Sequence, residues 1–310
     1  MTNPLRLIGY VELPEHKGSG GFDHAAVHAA TGHVYVAHTA NDAVDVFDPM
    51  SARHLFSIPD LRGVAGALVS EESQLIFSSN RGENTIGIFP PGPQPEVLKI
   101  PVGVRPNGLA YDPVRRLLLA ANVGDPAIPN SCTLSMVSLD KRALIADVVV
   151  PGRTRWAVFD PDAERFYVNI ADPAVIVLVD AKKPTEIAAT YSVPAAGPHG
   201  LDLDLATHRL FCACDAGRLI ILDAVSGKTL SDLALSGTPD VVFFNPVRQQ
   251  LYVAVGDPGV IDVFDTARMT RLGRVETERG AHTTAFAPAG DRVYAFLPQS
   301  HRAAIYEVAS

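Results

Sequence analysis

Val34-Tyr35-Val36-Ala37, followed after a short polar loop by Ala43-Val44-Asp45-Val46-Phe47-Asp48, returns far downstream as Leu251-Tyr252-Val253-Ala254 and Val260-Ile261-Asp262-Val263-Phe264-Asp265. Each copy is a run of β-branched and aromatic residues, a turn, and a second run that ends on aspartate. Such runs, punctuated by Gly, Pro, Asn and Asp, read as short antiparallel strands. Looser copies lie between them: Leu75-Ile76-Phe77 with Thr85-Ile86-Gly87-Ile88-Phe89, Phe166-Tyr167-Val168 with Val175 to Asp180, and Leu210-Phe211 with Leu219 to Asp223.

Before each pair stands another apolar run, headed by a recurring joint. Gly197-Pro198-His199-Gly200-Leu201-Asp202 is its fullest form, echoed at Asp23-His24, Pro106-Asn107-Gly108, Arg155-Trp156, Pro239-Asp240 and Ala281-His282. Taking these heads as markers, units begin near residues 22, 64, 106, 155, 198, 239 and 281, a period of about 40–50 residues. That period fits four-stranded propeller blades, whereas helical repeats would show apolar spacing near 3.6. The seventh unit runs out after three strands, while residues 5–13 form a strand with no unit of their own. The expectation is an all-β chain, a single seven-bladed β-propeller domain over residues 1–310, its four-stranded antiparallel blades closed into a ring by that N-terminal strand, which removes exposed edges.

Composition narrows the function. The chain has 310 residues, is 47% hydrophobic and carries a formal charge of −8, with no Lys/Arg cluster able to neutralise a run of phosphates, so a nucleic-acid partner is not expected. No apolar run is long enough to span a membrane, and the first residues lack a signal-peptide pattern, so the expected location is cytoplasmic. The oligomeric state is not legible. Cys132, Cys212 and Cys214 cannot build a disulfide framework in a chain of this length; Cys212 and Cys214, two apart in one strand, read as small core residues.

The tyrosine-valine strand and valine-aspartate strand around Tyr35-Val36 and Val46-Phe47-Asp48 resemble the YVTN-repeat propellers, over nearly the whole chain. The pattern departs at Val64-Ala65-Gly66-Ala67-Leu68 and at the Pro90-Pro91-Gly92-Pro93 run. That resemblance implies the fold and leaves the activity open, because related propellers serve as enzymes and as scaffolds.

In such a ring the heads of the innermost strands gather at one mouth of the central channel: His24, Ala65, Asn107, Trp156, His199, Asp240 and His282. Loops joining second and third strands open on the same side. His199, Asp240, His282 and His24 fall on four successive blades and are expected to converge. Three imidazoles beside a carboxylate suit a divalent ion, Zn²⁺ first, with Mn, Fe, Ni or Ca as alternatives. His24, His199 and His282 are the expected ligands, with Asp240, Asp215 and His301 as acid, base or orienting groups. Asp215 and Asp257 also read as plain turn residues. Arg155, Trp156, Asn107, Arg105 and His38 are the expected substrate contacts, with Arg81 reaching the same rim; arginines beside an aromatic wall suit a small anion. His16, His28, His33, His54 and His208 read as surface residues.

The function expected is a metal-dependent hydrolase or lyase acting on a small organic molecule at the channel mouth, similar in architecture to the gluconolactonase/regucalcin and streptogramin lyase propellers. The gluconolactonase pattern wants a glutamate on the first inner strand, where this chain has Asp23-His24. The alternative is a non-catalytic propeller that binds a small ligand or protein on the same face. Redox chemistry ranks below both, since no Cys-x-x-Cys-His haem attachment is present.

Overall fold

The structure, a computed structural model, describes residues 3–309. Seven four-stranded antiparallel sheets follow one another, six of them built from consecutive strands. Their innermost strands are Phe22–Val27, Val64–Ser70, Pro106–Asp112, Thr154–Asp160, Pro198–Asp204, Thr238–Asn245 and Thr284–Phe286. Each packs beside the next, and the last returns to the first, so the sheets are the blades of a β-propeller. Blade seven begins its inner strand three residues later than the repeat predicts, which leaves His282 just ahead of the strand. Among the described residues the one helical element is the 3-10 turn Thr39–Asn41, and no helix could cross a membrane.

Burial explains the strand sequences. Second and third strands are covered on both faces by neighbouring blades, so they are apolar without alternation: Val34–His38 is buried at every position. Outer strands have one wet face and alternate, as Arg53–Ile58 does. Tyr35, Tyr167 and Tyr252, on the second strands of blades one, four and six, are fully buried between sheets.

Two local features shape the mouth. In blades one to six the pairing of first and second strands slips at the head of the inner strand, between Pro198 and Gly200 in blade five for example. A bulge of this kind bends the chain and re-aims a side chain. Here the slipped residue is the one at the channel mouth. Gly200 follows His199 because a Cβ there would lie 2.1 Å from the Asp240 carbonyl oxygen; at Gly108 it would lie 2.4 Å from that of Arg155. Glycine therefore lets one blade's backbone approach the head of the next.

The ring closes through the N-terminal strand Leu5–Glu12, which pairs with Arg302–Val308 as the outermost strand of blade seven. An apolar cluster of Val11, Phe22, Val34, Phe47, Tyr294 and Phe296 seals blade seven to blade one. Leu5 is fully buried and Leu7 is 44% exposed, so they separate the packing role of this strand from mere chain connectivity. Leu5→Ala is expected to cost roughly 2–4 kcal/mol in equilibrium denaturant unfolding. Leu7→Ala should stay within about 0.5 kcal/mol of wild type.

Candidate functional site

His199 is the centre of the channel mouth. Its Nδ1 lies 2.7 Å from Asp215 Oδ1, on the loop after the second strand of the same blade. Its Nε2 lies 3.2 Å from Asp240 Oδ1 at the head of blade six and 3.0 Å from Arg155 Nη1 of blade four. Arg155 in turn reaches Asp215 Oδ2 at 3.3 Å. Asn169, on the second strand of blade four, donates to the His199 and Gly200 carbonyls at 3.0 and 3.1 Å and pins the bulge that presents the ring.

Burial disfavours the imidazolium, but the Asp240 charge, with hydrogen bonds from the ring to Asp215 and Asp240, overrides it and raises the His199 pKa to about 9. Desolvation likewise opposes charge on Asp240, and the His199 imidazolium beside it outweighs this and holds the carboxyl well below the usual range. The pair is thus ionised at neutral pH. Asp215 is also held low, its burial outweighed by His199 and Arg155. When His199 loses its Nε2 proton, the bare lone pair faces Arg155 Nη1, which can donate to it, while Asp215 keeps the Nδ1 proton. Arg155 therefore stabilises the ring after proton release.

His282 sits on the other side of Asp240, its Nε2 3.8 Å from Asp240 Oδ2. Its Nδ1 is 2.8 Å from the Gly280 carbonyl and must carry the hydrogen, which leaves Nε2 as the acceptor nitrogen of the neutral ring. His24 does not join this group as a third imidazole. It stacks on Trp156 of blade four, with centroids 4.2 Å apart and planes 24° apart, so the two heads span the mouth. Burial lowers the His24 pKa against the pull of Asp23 and Asp240, and the ring is neutral. Beneath the stack an apolar cavity of about 150 Å³ is lined by Ala26, Leu68, Leu109, Phe243 and Phe286, among others.

The remaining rim is cationic. Arg81 Nη2 bridges Asn107 Oδ1 at 2.6 Å and Asp23 Oδ2 at 3.3 Å. Arg153 is held below the usual arginine range by burial and by the charges of Arg155, Arg81 and Arg105, so the four guanidiniums share one neighbourhood. Arg105 and Arg153 line a cavity of about 380 Å³ under the 123–132 loop of blade three, with Val123, Pro126, Ile128 and Val150. Three N–H groups of this rim, Arg81 Nε, Arg155 Nε and Trp156 Nε1, are buried without an acceptor. Buried donors in native proteins are nearly always satisfied, so these three unmet donors set the rim apart.

Of the residues expected at the site, His199, Asp240, Asp215, His282 and Arg155 form one bonded group, and Trp156, His24 and Asn107 border it. His38 and His301 do not reach it. His38 is fully buried, with Nδ1 2.6 Å from Asp45 and Nε2 2.7 Å from His16 Nδ1. His301 packs edge-on against His16 at 4.4 Å, at the seam of blades seven and one. His16 is thus no surface residue, nor is His28, which is buried and bonded to Thr31 and Gln74. Asp23 and Asn169 were not expected, and Arg153, two residues ahead of Arg155, joins the arginines expected on this rim. Only Asn169 leaves a trace in sequence, as a polar residue near the end of an otherwise apolar second strand.

The donor set does not fit a divalent ion. Both His199 nitrogens are engaged, a guanidinium stands 3.0 Å from the one facing Asp240, and His24 turns its Nε2 to Asp23 Oδ1 at 3.4 Å. Among the described residues no group of three or more His, Cys, Asp or Glu side chains is arranged to hold a metal. The geometry fits an ion pair of imidazolium and carboxylate.

A raised folded-state pKa stabilises the fold fully below the unfolded value of 6.5 and is lost as pH rises through about 9. The shift corresponds to roughly 3 kcal/mol. Denaturant unfolding of the wild type is expected to lose stability of that order between neutral pH and pH above 9, and His199→Gln should lose much less over the same window.

No protein-family model matches the chain, and no curated protein matches it. Many solved structures do. One, described as Kuenenia stuttgartiensis hydrazine synthase, has a TM-score of 0.83 at 13% identity, covering 97% of this chain and 99% of that chain. At that identity the likeness shows the fold alone: the chain is a seven-bladed β-propeller, and membership of the YVTN-repeat family is not shown.

Proposed function

We propose that the mouth of the channel is an acid–base site for a small organic anion, of the kind a metal-independent hydrolase or lyase uses. The observation that carries it is the set of unsatisfied donors: Arg81 Nε, Arg155 Nε and Trp156 Nε1 are buried without acceptors beside the His199–Asp240 pair. A carboxylate or phosphate at this rim would offer acceptor oxygens to such donors and negative charge to the guanidiniums around them.

Chemistry follows from the protonation states. His199 carries a proton on Nε2 that faces Asp240; a leaving group that takes the place of Asp240 as its partner receives that proton, and Arg155 donates to the bare nitrogen afterwards. His282, with Nδ1–H fixed on Gly280, offers Nε2 to take a proton from substrate or water. Asp240 lies between them and keeps His199 charged. The divalent ion anticipated from sequence has no part here, because an ion at His199 Nε2 would lie against the Arg155 guanidinium.

Calorimetric titration with small carboxylates such as butyrate and benzoate is expected to show binding at neutral pH. Arg155→Lys, which keeps the charge but loses the fork, should weaken it by about tenfold or more. Equal binding by wild type and Arg155→Lys, or none by the wild type, would sink the anion site. Hydrolysis of an anionic ester, mono-4-nitrophenyl succinate, followed by nitrophenolate release, separates an enzyme from a simple binder: release by wild type and its loss in His282→Ala supports proton transfer from the attacking water, and no release above buffer leaves a binder. Zn²⁺ added to chelator-treated protein should leave the melting temperature unchanged.

A further inference from the structure

Arg105 and Arg153 differ from the other two arginines of the rim. Arg81 and Arg155 are paired with Asp23 and Asp215, whereas among the described residues Arg105 and Arg153 make no ion pair. Both instead line the 380 Å³ cavity of blade three. That volume is within the range of small-molecule sites.

The cavity is a built feature of the chain. Blade three has a long loop between its second strand, Leu117–Asn122, and its third, Thr133–Ser138. Backbone bonds from Val123 and Gly124 N–H to the Arg105 and Val104 carbonyls hold the loop's start against the rim. Ser131 Oγ accepts from Asp125 N–H and donates to its carbonyl, and the Cys132 thiol donates to the Val123 carbonyl, closing the loop on itself. The one carboxylate in the lining, Asp125, accepts the Ala127 N–H at 2.9 Å within that loop. Arg105 takes a left-handed backbone, φ 58°, with its N–H donated to Asn84 Oδ1 at 2.8 Å. Loop walls contribute Val123, Pro126, Ile128 and Pro129, so the space offers apolar cover with guanidiniums beside it.

The proposed function places one anionic group at Arg155 and Arg81, beside His199. Building on it, we infer that the ligand is an organic dianion: its second anionic group is held by Arg105 and Arg153, and its carbon body lies against the apolar wall of the blade-three loop. Two unpaired guanidiniums side by side repel each other, and a second anionic group relieves that repulsion where a singly charged ligand would not. The same arrangement discriminates by charge: a monoanion of equal length leaves the outer pair uncompensated.

The test compares ligands of matched length, adipate against hexanoate and suberate against octanoate, by calorimetric titration of the full chain. The expected result is that one dicarboxylate binds at least about tenfold tighter than its monocarboxylate partner. Arg105→Gln/Arg153→Gln should erase that difference, weakening dicarboxylate binding far more than monocarboxylate binding and leaving the melting temperature as in wild type. Equal affinity for both members of each pair, or a difference that survives in the double variant, overturns the dianion inference and leaves the mouth site standing. Absence of binding by every carboxylate overturns both.

Discussion

Each blade is apolar on both faces, and that single constraint organises the molecule. A sheet whose inner strands are buried throughout cannot stand with one face in water; it needs a neighbour on either side, and only a ring supplies one to every blade. The apolar clusters accordingly straddle blades: Tyr35 and Val46 of blade one pack with Val64 and Phe89 of blade two, and the same happens around the circle. Circular order then decides which strand heads meet. His199 and Asp240 touch because blades five and six are neighbours, and His24 meets Trp156 because the mouth is narrow enough to be spanned.

The blades were legible in the sequence because strand burial leaves a period that repeats. So was the column of channel-mouth residues, since each sits at a fixed offset from an apolar run. What the sequence could not convey was reach and direction. The bulges at the strand heads turn each side chain by amounts that no spacing records, and long arginines such as Arg155 contact residues of the next blade, 44 and 60 positions along the chain. His38 and His301 sat in the right loops for the mouth, yet His38 turns inward to Asp45 and His16. Counting imidazoles on a column therefore located His199 beside Asp240 but carried no sign of the guanidinium against its Nε2.

The electrostatics of that neighbourhood turn on one contact. An imidazole between two carboxylates would attract a divalent ion if its nitrogens were free and the surroundings neutral. Arg155 removes both conditions, standing against Nε2 and sharing Asp215 with Nδ1. Positive charge is already present in the form of a proton and a guanidinium, and the low-dielectric mouth strengthens their hold on Asp240 and Asp215.

The pairing of Leu5 with Val308 has a consequence for the chain's birth. On the ribosome the strand Leu5–Glu12 emerges before all other described strands, and its partner Arg302–Val308 emerges after them. Throughout synthesis the first blade has one face uncovered, with Phe22, Val34 and Phe47 awaiting Tyr294 and Phe296. The ring is a clasp whose two halves are the earliest and the latest of the described strands to be made, so the nascent chain carries an adhesive apolar face until strand Arg302–Val308 arrives, the period in which it most needs a chaperone's cover.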